Sequence, residues 1–238
     1  IAQLEKELGL DQSLWEQYIS WISGLLSGDL GQSLKYQQPV LDILLDRIPV
    51  TFSLAFVSIV LTALIGIPLG IFIARTDGKW VSTILSMLTQ LGIAIPSFWF
   101  GFILILLFSV TFKLFPSYSY VPWSEDFFGA LRSFFLPSLA LALSNIAIMI
   151  RYLRNTILDQ TKMDYVRTAK CKGLSERWIV YRHILRNAFI PILTIIGMII
   201  ADTLGGSIII ENVFSLPGLG SLLIQSISSR DFPLVQSM

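Results

Sequence analysis

The run VTFSLAFVSIVLTALIGIPLGIFIA, from Val50 to Ala74, carries no charge in 25 consecutive positions and is bracketed by Arg47 and Arg75. About 20 apolar residues suffice for a helix to cross the roughly 30 Å of hydrocarbon in a bilayer, so this run predicts a membrane span. Working outward, the uncharged stretch from Trp80 to Phe112 is too long for one untilted crossing. It predicts an interfacial lead-in and then a span from about Leu91 to Phe112, entering near Pro96. A third span is expected from Phe134 to Ile150, and a fourth from Phe189 to Ile210, interrupted by Asp202. Pro96 and Pro191 are expected kinks, and Gly66 with Gly70 gives a small-xxx-small spacing that permits close helix contact.

Composition agrees with a lipid-embedded chain. Of its 238 residues 54% are hydrophobic and only 14% charged, and the mean hydropathy is +0.71; soluble domains carry roughly a quarter charged residues. A single cysteine, Cys171, rules out an intrachain disulfide and a thiolate cluster. His183 stands alone among cations, with no second His or acidic cluster to complete a metal site or a catalytic triad.

The charges that remain are sorted by segment. Residues 1–49 hold seven acidic and three basic side chains, whereas 151–187 hold nine basic and three acidic. The link 75–79 adds two basic and one acidic, 113–133 two of each, and 211–231 one basic and two acidic. Four spans place 75–79 and 151–187 on one side, which the excess of Lys and Arg marks as cytoplasmic. The acidic start then lies outside, an extracytoplasmic segment 1–49 ahead of a transmembrane domain 50–238. An outside start implies an odd number of spans before Ile1, one being the economical number. Arg230, Asp231, Phe232 and Pro233 read as the approach to a further span.

The inner link 151–187 is longer than a turn requires. Ile157 to Cys171 lacks Pro and Gly and predicts a helix; Gly173 breaks it, and Ser175 caps a second helix. Thr168, Ala169 and Gly173 would form a small-residue surface suited to a cleft on another protein.

At this point the sequence resembles a known family. The stretch YVRTAKCKGLSERWIVYRHILRNAFIPIL, Tyr165 to Leu193, is similar to the cytoplasmic coupling loop of ABC importer permeases. Thr168, Ala169, Gly173, Ile184 and Leu185 stand where the family has its small pair, its glycine and its later apolar segment. Three stretches extend the likeness to the first membrane subunit of dipeptide, oligopeptide and nickel importers: residues 8–42, AIPSFWFG at 94–101, and IIIENVFSLPGLGSLLIQSISSRDFPLVQ at 208–236. Cys171 departs from the family's usual small residue, and Arg167 from the broader family's acidic one.

The resemblance implies an all-α transmembrane bundle of the type I importer permease fold, with one span before and one after this chain. It implies a second permease, two cytoplasmic ATPases that use ATP and Mg, and an extracytoplasmic substrate-binding protein as partners, with short peptides as cargo or, as a second reading, nickel or its chelates. Arg167, Thr168, Ala169, Lys170, Gly173 and Leu174 become the ATPase-coupling residues. From the residues themselves, Asp202, Trp99 and Asn145, with Ser97 and Ser144 beside them, either line the pathway or serve helix contacts, Asp202 then as a protonated or hydrogen-bonded carboxyl and the others as bridges between helices. The resemblance makes Glu211, Pro217, Gly218 and Gly220 outer-gate candidates.

Other classes fit less well. No phosphate loop is present: Gly78-Lys79 is followed by Trp80, and GLGSLL at 218–223 lacks a third glycine. The chain is therefore expected to bind no cofactor and perform no catalysis. Trp178 and Tyr181 are too few for a nucleic-acid surface. A channel or secondary transporter would have no use for the long inner elbow. Trp15, Tyr18 and Trp21 fall near one helical side of the acidic segment, and Leu219, Leu222, Leu223 and Ile227 mark an amphipathic outer helix.

Overall fold

The computed structural model describes residues 13–116 and 120–238, and every named element among them is helical. Helix α1 spans Leu14–Ser27, α2 Val40–Arg75, α3 Trp80–Ala94 and α4 Ser97–Leu104, the last continuing as a π-helical segment, Ile105–Thr111. Then come α5 (Phe127–Thr161), α6 (Asp164–Cys171), α7 (Glu176–Ile179), a π turn at Val180–Ile184, α8 (Leu185–Val213), α9 (Leu219–Ser229) and α10 (Phe232–Ser237). The expected all-α membrane bundle is what forms. Three stretches are long and apolar enough to cross a bilayer: Val40–Arg75, Phe127–Thr161 and Glu176–Val213.

The second expected span is corrected. The chain breaks at Ile95 and Pro96, and the helices on either side meet at 101°. Proline excludes the preceding residue from helical geometry, and Ile95 is extended at φ −82°, ψ 122°. At about 1.5 Å per residue, neither arm alone spans the hydrocarbon; only the bent pair together makes a fourth crossing.

The chain divides into two compact units. The larger, Val50–Leu216, is organised on α5: 72% of its most apolar window is buried, against 28% for the windows of α2 and of Glu176–Val213. Lipid offers helices no hydrophobic reason to associate, so close packing and interhelical hydrogen bonds must do it. Gly66 and Gly70 bring α2 against α5. A Cβ at Gly70 would lie 3.1 Å from Leu153 Cδ2, and one at Gly66 would lie 2.9 Å from Met149 Cγ. Polar bridges add to this packing. Ser138 Oγ donates to the Leu54 carbonyl (3.3 Å) and Trp123 Nε1 to Ser53 Oγ (2.8 Å).

Both ends of this unit follow the alternation read from charge. At one end Arg154 pairs with Asp77 at 2.6 Å, and Arg75 lies 5.9 Å from the Tyr181 ring centre, joining the 75–79 and 151–187 links. At the other, Tyr120 and Trp123 pack with Phe134, Ile210, Phe214 and Leu216, joining the 113–133 and 211–216 links.

The smaller unit is discontinuous: residues 1–49 together with 217–238. In it the last 22 residues pack with the first segment. Its core joins Val40, Ile43 and Leu44 to Leu222 and Leu234. Beside that core Asp231, 1% exposed, accepts hydrogen bonds from Ser33 Oγ (2.5 Å) and from the backbone N–H groups of Leu34 (3.2 Å), Lys35 (3.1 Å) and Leu234 (3.4 Å). Burial pushes the Asp231 carboxyl upward, and these four donors more than offset it, so it titrates below its ordinary 3.8. Residues 230–233 end α9 and cap α10.

Candidate functional site

The inner elbow is built in three pieces, not two. The helix expected from Ile157 to Cys171 is interrupted after Thr161, where Met163 turns extended at φ −73°, ψ 150°. The turn lets α6 fold back, so that Val166 and Ala169, three residues apart, enter a core with Ile157, Ile179, Ile184 and Ala188. A straight continuation of α5 would have carried both into water. Tyr165 OH donates to Gln160 Oε1 at 2.9 Å and fastens α6 to α5.

The opposite face of α6 is open. Asp164, Arg167, Thr168, Lys170 and Cys171 are exposed, and so are Lys172, Gly173 and Leu174 beyond them. The helix ends in a glycine cap. Gly173 sits at φ +74° with its N–H on the Lys170 carbonyl (2.9 Å), and the Leu174 N–H reaches the Ala169 carbonyl (3.3 Å). This paired arrangement closes a helix when the residue after it adopts left-handed geometry, which glycine alone takes without penalty. A Cβ on Gly173 would meet nothing within 4 Å, so its role is conformational and leaves the surface unobstructed. Ser175 Oγ then accepts from Trp178 N (3.4 Å) and starts α7, as its cap position predicts.

Five of the six expected coupling residues are thus exposed, Arg167 and Lys170 being the cations among them. Ala169 is not; at 6% exposure its small side chain lets α6 sit close to its own core.

The pathway candidates are not gathered. Asn145, 1% exposed, donates from Nδ2 to Thr203 Oγ1 at 3.0 Å and bridges α5 to α8. Thr203 passes the chain on to the Ile199 carbonyl (2.6 Å). Asp202, the residue before Thr203, is exposed on α8, and Trp99 is 51% exposed on α4.

The outer-gate candidates are divided between the units. Glu211 is fully buried in the larger one, accepting from Thr51 Oγ1 at 2.6 Å, a contact that ties α8 to α2. Pro217, Gly218 and Gly220 belong to the smaller unit, where the Pro217 carbonyl accepts from Arg47 Nη1 (3.3 Å) and Gly218 opens α9. Sequence reading missed Thr51 and the Ser33–Asp231 pair. Both are hydroxyl–carboxylate contacts between residues 160 and 198 positions apart, and no local spacing signals them.

Bilayer-length helices, glycine-mediated packing and a water-exposed cationic elbow define a multi-pass integral membrane protein. The chain belongs to the family of binding-protein-dependent transport system inner membrane components, whose model matches residues 66–238; the family's N-terminal model matches 1–55. It is 42% identical over 236 residues to a putative peptide transport system permease protein of Brucella abortus, covering 99% of this chain and 75% of that one. It is 35% identical to the oligopeptide transport system permease protein AppB of Bacillus subtilis (99% and 76% covered). With the glutathione transport system permease protein GsiC of Escherichia coli K12 it shares 37% (100% and 75%). The chain is thus a multi-pass inner-membrane permease of the ABC importers, the membrane component of a larger system and not its ATPase.

Proposed function

We propose that this permease, together with a second and similar one, forms the path by which short peptides enter the cell, and that two cytoplasmic ATPases drive it by docking on α6. An extracytoplasmic binding protein delivers the peptide. The cargo reading rests on the named relatives, which carry peptides, oligopeptides and glutathione in their descriptions. The coupling reading rests on one structural observation: α6 is exposed on one face and anchored by Val166, Ala169 and Tyr165 on the other.

That anchoring supplies the mechanism. When the ATPases close on ATP and Mg, a load on Arg167, Thr168 and Lys170 passes through Val166 and Ala169 into the core that α5 and α8 share. The bundle then shifts between inward-open and outward-open states, each favoured by a different ligand condition. Gly173 holds the elbow's angle. Within α8, Asp202 is exposed at membrane depth, where a carboxylate is costly unless it faces water or a partner; it is the pathway residue that meets the peptide's cationic amino end. Asn145 keeps a structural role.

The test uses the full importer in proteoliposomes, with Thr168→Trp and Gly173→Val compared with wild type. Thr168 is exposed, so Thr168→Trp leaves the fold intact and obstructs the docked face. Gly173→Val forces a β-branched residue into left-handed geometry, at a cost of about 1–2 kcal/mol. Both variants are expected to lose tripeptide uptake and peptide-stimulated ATP hydrolysis. Normal uptake in both would overturn the coupling reading, and absent peptide uptake by an intact wild-type importer would overturn the cargo reading.

A further inference from the structure

Helix α1 has well-made ends and an apolar face that the described residues leave exposed. At its start Ser13 Oγ accepts from Glu16 N while Glu16 Oε2 accepts from Ser13 N (2.9 Å), a reciprocal cap. At its end Gly28 is left-handed (φ +81°), its N–H on the Leu25 carbonyl (3.2 Å), with Asp29 N on the Gly24 carbonyl (2.9 Å). These contacts fix where the helix begins and stops. They do not stabilise its middle, since an isolated helix of about this length is marginal in water.

The sequence between the caps is fully segregated. Of 14 residues in LWEQYISWISGLLS, eight are apolar or aromatic. At about 100° per residue those eight fill one arc of about 160°, and Glu16, Gln17, Ser20, Ser23, Gly24 and Ser27 fill the remainder. Such a face normally lies against a core. Here it does not: Trp15 is 74% exposed, Ile19 63% and Leu26 84%, and no α1 side chain among the described residues is fully buried.

We infer that α1 lies flat in the outer leaflet of the membrane, its aromatic and aliphatic face in the headgroup–acyl boundary and its serine face toward water. Three observations select lipid as the occupant. Trp15, Tyr18 and Trp21 occupy successive turns of that face, with ring centres 6.2 and 6.4 Å apart. Tyr and Trp, apolar with one polar tip, concentrate at the membrane interface. The helix is joined by residues 28–39 to α2, which enters the bilayer, so the interface is within reach of the chain. Finally, α1 carries one charge, Glu16, and no basic residue. Its attachment is therefore driven by apolar area, independently of anionic headgroups and salt, unlike basic amphipathic helices.

The test places a nitroxide at Leu26→Cys, Ile19→Cys, Ser20→Cys or Ser23→Cys, each in a Cys171→Ala background. The full-length permease, assembled with its partner subunits, is reconstituted in vesicles of neutral lipid or of 30% anionic lipid. Collision with oxygen, which concentrates in lipid, is compared with collision with a water-soluble nickel chelate. Labels at 19 and 26 are expected to favour oxygen at least threefold over labels at 20 and 23, equally in both lipid mixtures. Equal chelate access on both faces would overturn the inference. So would shielding of 19 and 26 from both reagents, which would mean that a protein covers the face, or oxygen preference confined to anionic vesicles. Circular dichroism of each labelled permease checks that the fold survives.

Discussion

The contact at Gly70 sets a sharp test of how the bundle is held. In Gly70→Ala the new Cβ would sit 3.1 Å from Leu153 Cδ2, 3.2 Å from Leu153 Cβ and 3.4 Å from Ile150 Cα. Carbon atoms attract best at about 3.5–4.0 Å, so the two Leu153 contacts fall on the repulsive side while the Ile150 contact is an ordinary one. Leu153 has no exposed surface into which to swing, and the Ile150 atom is backbone. Overpacking of this kind costs about 1–3 kcal/mol, offset by roughly 1 kcal/mol from replacing a helical glycine with alanine. The net is a loss of about 0–2 kcal/mol. Gly197 provides the matched control: also in an apolar helix, with nothing within 4 Å of its Cβ position. Gly197→Ala should gain up to about 1 kcal/mol, leaving the two variants about 1–3 kcal/mol apart. Thermal unfolding of the purified permease in detergent, without partner subunits, reads this as several degrees of apparent Tm. Equal Tm values for Gly70→Ala and Gly197→Ala would refute close α2–α5 packing.

Three further outcomes follow from the buried carboxylates. Asp231→Ala should cost about 3 kcal/mol in the smaller unit, because the Ser33 hydroxyl and the Leu34 and Lys35 N–H groups lose their acceptor; limited proteolysis within 28–39 would show it. Since folding depresses the Asp231 pKa, its contribution is complete above about 3.8 and fades as pH falls through the lower folded value; wild type should gain cleavage in that acidic window, whereas Asp231→Asn should be cleaved alike on both sides of it. Thr51→Val and Glu211→Ala should be non-additive by about 1 kcal/mol in a thermal double-mutant cycle, given their 2.6 Å contact; strict additivity would separate the two residues.

Charge-free runs revealed the spans because lipid excludes charge, but they do not mark helix ends. The helix around Val50–Ala74 starts at Val40, since Leu41, Leu44, Leu45 and Arg47 are strong helix formers and Asp42 sits in the first turn, where a negative charge is favourable. Pro96 announced its break through the backbone, whereas the turn at Lys162 and Met163 has no such marker and follows from the need to bury Val166. The elbow's exposed face was legible from Arg167 to Leu174, and Gly173 was read correctly as a terminator. Ala169 was misplaced because a small side chain suits a docking surface and a tight internal contact equally well. The burial of Glu211 against Thr51 was not legible, since Thr51 is an ordinary hydroxyl in an apolar run 160 positions away.

The discontinuous smaller unit orders events during synthesis. Ser33 leaves the ribosome 198 residues ahead of Asp231, so its hydroxyl and the neighbouring amides must wait in water while every described bilayer-crossing stretch is made. The core of Val40, Ile43 and Leu44 likewise stays open until Leu222 and Leu234 arrive. Closure of this unit thus waits until Leu222, Asp231 and Leu234 have been made, and a chain halted before Asp231 would display its unfinished surface to any quality-control protease that reaches it.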